Sequence, residues 1–259
     1  MTKKKISVDS ARSFVAGASI LGTTRDAVAA GAVQLALDST KNQATVVGSG
    51  VVSFVSGVTT ERRQAIINSS LLAQLVARKK VPDPENIKDW YAAYFDTLTN
   101  IGWVVQDTGF AKYQESSENF DAHKAILTVA ATLLGPASTA LAIVTSTLNA
   151  LQSMNESSPW ITIFNRESQI AKSARFQVGI AEQDAEGQFF VNLMAFVLDA
   201  KSSVTQVLFF KAKKNQVNLE QYSARVTINS AVLEGVREAI AKKLVNHSSN
   251  FISGLPDLD

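Results

Sequence analysis

Two histidines, His123 and His247, are the only imidazoles in this chain of 259 residues, and it contains no cysteine. A thiolate zinc site, an iron–sulfur cluster, a disulfide framework, a cysteine nucleophile and a multi-histidine metal site are therefore all excluded. His123 follows Asp121 by two residues, and an Asp–His pair can orient a general base. At a helix start a histidine is more often structural. His247 falls near the end of the last expected helix, where an imidazole suits the dipole. Gly48-Ser49-Gly50 lacks the third glycine of a dinucleotide fingerprint and the Gly-Lys-Ser/Thr of a phosphate loop. No Gly-x-Ser-x-Gly elbow occurs. Glu115 and Glu118 sit in a polar stretch. Glu182, Asp184 and Glu186 crowd an expected hairpin tip with a spacing that matches no calcium loop. No set of residues proposes a reaction, so no catalytic residue, metal or cofactor is assigned.

The charge balance is equally plain. Lys and Arg number 25 against 23 Asp and Glu, a formal net charge of +2, with a pI near 8.7. The basic clusters Arg78-Lys79-Lys80, Lys211 with Lys213-Lys214, and Lys242-Lys243 are short and lie at element ends, which argues against a nucleic-acid partner. Hydrophobic residues make up 46%, charged residues only 19%, and mean hydropathy is +0.07, so the chain is expected to bury a core rather than stay disordered. Lys3-Lys4-Lys5 resembles the charged start of a signal peptide, but Asp9 and Arg12 interrupt the apolar stretch that a signal peptide requires next. The expectation is synthesis in the cytoplasm without a Sec signal.

The low charge is concentrated. Ala125 to Asn155, 31 residues, holds no charged side chain. Gly135-Pro136 divides it into two helices. In the second, Ser138, Thr139, Thr145, Ser146, Asn149 and Gln152 line one side, and Leu141, Val144, Leu148 and Leu151 line the other. A resident transmembrane helix should be apolar all round, so an amphipathic pair is the better reading. The residues expected to contact membrane or lipid are Leu133, Leu134, Gly135, Pro136, Leu141, Val144 and Leu148.

The remaining elements are set by caps and periodicity. A first helix starts at Asp9 or Ser10 and ends at Leu21 before Gly22. Thr23 and Asp26 pair to cap a second, Thr24 to Leu37. Ala44 to Val58 admits either a strand with bulges or a broken helix. A clear helix runs from Thr59 or Thr60 to Lys80, stopped by Pro82. Asp83-Pro84-Glu85 reads as a new helix start, followed by the aromatic stripe Trp90, Tyr91, Tyr94 and Phe95, which at this spacing is core packing. Trp103 and Trp160 flank loops, and Trp103 to Tyr113 suggests a short hairpin or an extended loop. A short helix is expected at Asn165 to Ala171. The period then changes to two. Arg175 to Ile180, Phe189 to Leu198, Val204 to Ala212 and Val217 to Ile228 read as four antiparallel strands with short turns. Ser230 begins a last helix with Val232, Leu233, Val236, Ile240 and Leu244 inward.

The fold class expected is α+β, in one domain over residues 1–259. A helical half, about 1–158, packs on a four-stranded antiparallel meander and a final helix, about 172–248.

Three blocks carry a resemblance to a known family. They are Ser69-Ser70-Leu71-Leu72-Ala73-Gln74-Leu75, the helix of Trp90-Tyr91 and Tyr94 with Gly102-Trp103 after it, and Val207-Leu208-Phe209-Phe210-Lys211. In these blocks and in overall organisation the chain resembles the Erwinia virulence factor family and related uncharacterised bacterial proteins. None of the blocks is a catalytic motif. The resemblance implies a host-directed or lipid-related role and an apolar pocket. In that family a fatty acid is joined to a cysteine. With no cysteine here, the attachment maps to no position.

Three functional readings are open, against the plain structural one in which 125–155 is a buried core hairpin. The first is a bacterial virulence or toxin-like protein, released or delivered to a host, that engages membranes or lipids through the uncharged pair 125–155. The alternative is a self-assembling structural or interaction protein, a homo-oligomer without catalysis, since uncharged helix faces can pack together without desolvating ions. The third is an enzyme using carboxylates or backbone donors in a lipid-sized pocket, for which no residue set proposes a reaction.

Overall fold

The computed structural model describes residues 6–20, 36–106, 108–184, 186–245 and 252–254. The expected helix from Thr24, its cap at Thr23 and Asp26, the Lys3-Lys4-Lys5 run and His247 lie outside the described residues. Ala36 and Leu37, where that helix was expected to end, are not helical.

Three long strands form the centre: β7 (Ser173–Gln183), β8 (Phe189–Ala200) and β10 (Val217–Ile228). They pair antiparallel in sequence order, Phe176 opposite Phe196 and Phe196 opposite Gln221. On the other side of β7 lies a hairpin, β1 (Gln43–Val47) and β2 (Gly50–Phe54), with β2 parallel to β7. The short strands β3 (Trp103–Val104) and β4 (Ala111–Lys112) both pair with β10, and β6 (Gln169–Ile170) pairs with β7. A last strand, β11 (Ile252–Gly254), pairs with β1. The result is a mixed nine-stranded sheet. Separately, β5 (Asn119–Asp121) pairs with β9 (Lys211–Lys213).

Helices cover both faces. On one face pack α1 (Val8–Gly17), α2 (Thr60–Lys80), α3 (Ile87–Asn100) and α7 (Ser230–Leu244). On the other pack α4 (Ala122–Leu134), α5 (Thr139–Ser153) and α6 (Pro159–Ser168). Strand β8 shows why its sequence is apolar throughout. Val191, Leu193, Ala195 and Val197 enter the first core, and Met194, Phe196 and Leu198 enter the second. A strand between two helical layers has no wet face.

The α+β class and the final helix hold, and α7 buries Val232, Leu233, Val236, Ile240 and Leu244. The four-stranded meander is corrected. Val204 to Ala212 is no third strand: it carries a 3-10 turn at Val207–Phe209 and only the short β9, so β8 pairs directly with β10. Its apolar residues Val204, Val207, Leu208 and Phe210 instead plug the second core. The helical half is corrected too, because Gln43 to Phe54 contributes two strands to the sheet. Here a two-residue turn, with Gly48 at φ +56, supplies the mirror-image geometry that tight hairpins need. Helix α3 begins three residues later than the Asp83-Pro84 signal. Asn86 caps it through Asp89, while Asp83 closes a local turn by accepting from the Glu85 amide at 3.0 Å. Trp103 and Phe110 do not form a hairpin with each other, since β3 and β4 dock at separate points on β10. Helix α1 starts from a Ser7–Ser10 capping box and ends at Gly17. Helix α6 starts at Pro159, six residues before Asn165.

Candidate functional site

The charge-free stretch forms α5 and all but the first turn of α4, and local chemistry explains both ends of α4 and the start of α5. Asp121 caps α4 by accepting from the Lys124 amide at 3.3 Å. Gly135, at φ +87, ends α4, and the Gly135–Ser138 turn leads on through Pro136. Ser138 then caps α5 through the Leu141 amide at 3.0 Å. Inward, the pair buries Ala125, Ile126, Val129 and Ala130 from α4, and Ala140, Ile143, Val144, Thr147, Leu148 and Leu151 from α5. Outward, Thr128, Thr132, Thr139, Ala142, Ser146 and Asn149 are exposed.

The hydroxyls on this layer are largely spoken for. Thr128 donates to the Lys124 carbonyl at 2.9 Å, Thr132 to Thr128 at 2.9 Å and Thr145 to Leu141 at 2.8 Å. Each donor is satisfied one turn back along its own helix. Past Lys124 in the first turn of α4, removing water from this face therefore strips no ion and leaves these donors paired.

The sequence-chosen residues divide into two groups. Val144 and Leu148 are fully buried against the sheet. Leu133, Leu134, Gly135 and Leu141 are half-buried, and Pro136 is exposed. The turn therefore presents Leu133, Leu134 and Pro136 near the surface, while Val144 and Leu148 hold the layer in place. One polar tether joins α5 to the sheet: Ser53 and Thr147 hydroxyls lie 3.1 Å apart, both buried. Thr147 also meets the Ile143 carbonyl at 2.8 Å, so its single proton is committed there and Ser53 is the donor between them.

A cavity of about 170 Å³ adjoins the far end of the layer, where α5, α6 and the 3-10 turn meet. Its floor is Leu151, Ile161, Phe164 and Leu208, and Met154 and Phe209 form walls. Gln152, Glu156, Asn165 and Gln206 bring polar groups to it. The sequence reading named none of these polar residues as a site. They come from three separate segments, and no spacing pattern joins them.

The other candidates resolve into structure. Asp121, already the α4 cap, also pairs with Lys211 at 3.2 Å, so it does not orient His123 as a base. His123 sits beside the Phe209 ring, 5.8 Å between centroids, with Nε2 buried and unpartnered. At the hairpin tip, Asp184 lies 3.8 Å from Arg225, and Asn192 donates to Glu182. Partial burial holds the Glu182 carboxyl above its ordinary range, against the opposing pull of Arg225 and the Asn192 hydrogen bond. Among the described residues no group of His, Asp and Glu could hold a metal ion. The aromatic stripe is core: Trp90 stacks on Tyr94 at 5.4 Å, and Tyr91 donates between the Phe176 and Phe196 carbonyls at 2.9 and 3.0 Å. Burial raises the Tyr91 phenol well above its usual range, so it stays protonated as this donor. Trp103 is buried, with Nε1 donating to Ser69 Oγ at 3.2 Å, and Trp160 is half-buried.

No family model matches the chain, and no curated protein matches it in sequence. Among solved structures it is similar to the Evf virulence factor, at 13% identity over 81% of this chain and 83% of that one, with a TM-score of 0.34. It is also similar to a delta-endotoxin, at 11% identity over 69% of this chain and 79% of that one, with a TM-score of 0.35. Neither likeness carries a residue or an activity to this chain.

Proposed function

We propose that this chain is a virulence- or toxin-type protein that engages lipid surfaces through the α4–α5 layer. The observation that carries the reading is the outward face of that layer, which past Lys124 in the first turn of α4 has no charge, and whose exposed threonines 128 and 132, with the half-buried Thr145, donate within their own helices. Backbone and side-chain polar groups satisfied internally are what a lipid environment demands. The virulence assignment rests on the sequence blocks and on nothing in the layer itself.

The contact is interfacial. At 1.5 Å per residue, α4 and α5 are about 20 and 22 Å long, against about 30 Å for a bilayer core. Among the described residues no helix is long and apolar enough to cross a membrane. Leu133, Leu134, Pro136 and Leu141 meet the lipid first, with Gly135 giving the turn its shape. Val144 and Leu148 would reach lipid only if the layer lifted from the sheet.

The test is co-sedimentation and dye leakage with vesicles of neutral and of anionic lipid, over a range of pH. Binding is expected, and it should be lost in Leu133→Lys and Leu141→Lys variants that melt normally. No binding and no leakage under any condition would remove the reading. If the protein self-associates in sedimentation and those variants abolish that instead, the face is an assembly surface. Val144→Lys places a charge in the core, so circular dichroism should report loss of fold rather than loss of contact.

A further inference from the structure

We infer that the cavity between α5, α6 and the 3-10 turn is a binding site for a small, ring-sized organic molecule that carries an amide or similar hydrogen-bonding group. This goes beyond the lipid reading: it concerns a different end of the layer and a different chemistry.

The size comes first. The cavity measures about 170 Å³. An engineered apolar cavity of about 150 Å³, lined by Leu, Ile and Phe, takes up benzene. The floor here has the same character, with Leu151, Ile161, Phe164 and Leu208 all buried. One ring fits such a space, with the mouth open to solvent.

The polar groups give the ligand its second feature. Gln152 is exposed and Asn165 half-buried, and among the described residues neither side-chain amide has a hydrogen-bond partner. Each amide can donate and accept. A mostly apolar cavity with a few such groups at its mouth is the usual build of a small-molecule site, the apolar part giving affinity and the amides orientation.

The third observation is backbone strain at the rim. Gln206 sits in the left-handed region at φ +49 and ψ +61, one of two non-glycine residues with positive φ among those described. Its side-chain amide donates to Glu156, which closes the rim from the α5–α6 connection. Its carbonyl accepts from the Phe209 amide at 2.8 Å, which sets the 3-10 turn that delivers Leu208 and Phe209 to the wall. Strain of this kind persists where surrounding contacts over-determine it, and it clusters at ligand sites. A glycine at 206 would relieve the strain and loosen the wall. The chain instead keeps a glutamine there, clamped to a carboxylate.

The probe is benzamide, whose ring suits the floor and whose amide suits Gln152 and Asn165. Titration of the full chain, followed by the chemical shifts of the Ile161 and Leu208 methyl groups, should saturate in the millimolar range or below. Ile161→Trp fills the cavity and should weaken binding at least tenfold. Because that variant alters the core, Gln152→Ala with Asn165→Ala is the companion, made on the helix surface. It should weaken benzamide several-fold while leaving the binding of benzene unchanged. No saturable shift at 20 mM benzamide in the unmodified protein would overturn the site. Equal weakening of benzamide and benzene by the amide removals would overturn the assigned role of the two amides. Vesicle binding by the Gln152→Ala, Asn165→Ala protein should be unchanged, which separates this site from the lipid-facing turn.

Discussion

The side-chain oxygen of Gln74 occupies the place that a Cβ on Gly48 would need, only 2.2 Å from it. From there it accepts from the Ser49 backbone N–H at 3.0 Å, while Gln74 Nε2 donates to the Val47 carbonyl at 2.8 Å. One glutamine of α2 thus grips the β1–β2 turn from both sides. Gly48→Ala should destabilise the fold by about 2–4 kcal/mol, from left-handed backbone strain plus the displaced glutamine. Gln74→Ala should cost about 1–3 kcal/mol through the unpaired buried amide. In urea unfolding the double variant should cost less than the sum, because the clash exists only when both side chains are present.

Tyr91 offers a cleaner measure of a buried hydrogen bond. Its hydroxyl lies against the Phe176 and Phe196 carbonyls and accepts from Gln177 Nε2 at 3.1 Å. Tyr91→Phe keeps the ring and its contacts with Trp90 and Phe95. The loss should be about 1–3 kcal/mol, the cost of leaving the Gln177 amide unpaired in the core. A change below the error of the unfolding measurement would mean that the amide finds another partner.

Stability and lipid contact should separate along the α4–α5 layer. Leu148 is fully buried and Leu133 only half so. Leu148→Ala should cost about 2–5 kcal/mol, and Leu133→Ala clearly less. Vesicle binding should rank the other way, with Leu133→Ala the more damaging. Leu148→Ala as the stronger loss in both measurements would place the contact surface elsewhere.

Glu182 sets an expected pH dependence. Its folded pKa is raised above the ordinary value of 4.5. The native state therefore binds this proton more tightly than the unfolded chain does. The contribution is fully present below the unfolded pKa and is lost as pH rises through the folded one. Glu182→Gln mimics the protonated form. Its stability relative to the parent should therefore rise from acid pH toward neutrality, levelling above the folded pKa. A difference that stays flat from pH 4 to pH 7 would show that Glu182 titrates normally.

Arg63 shows where the sequence stopped being legible. In the run Glu61-Arg62-Arg63 it looks like a solvated helix start, next to an Arg62 that remains partly accessible. Yet Arg63 is fully buried. It donates to the carbonyls of Val58, Lys41 and Val55 and to Gln43 Oε1, at 2.8 to 3.1 Å. These partners surround the ends of β1 and β2, so the guanidinium ties the hairpin to α2. Nothing local to residue 63 reveals this, because its acceptors are loop and strand carbonyls set by the fold. The same holds for the Val204–Ala212 segment. Its apolar run satisfies the pattern of a strand, but β8 already pairs with β10, and the run plugs a core instead.

Caps, turns and periodicity determined much by themselves. The 3.6-residue spacing marks the inner face of α7, Thr59 begins α2, Gly135-Pro136 divides α4 from α5, and the two-sided apolar run of β8 marks a central strand. These are properties of the local chain, where a side chain and its backbone partner lie within one turn. The lack of cysteine and the scarcity of histidine likewise removed whole classes of chemistry without any coordinates. Only the tertiary structure decided which strands pair, that β2 lies parallel to β7, and that Val144 and Leu148 face the sheet while Leu133 and Pro136 lie at an uncharged turn. It alone gathered Gln152, Glu156, Asn165 and Gln206 around one cavity. Strand partners and cavity walls are chosen by packing between segments far apart in the chain, and a period of two or of 3.6 carries no information about the partner.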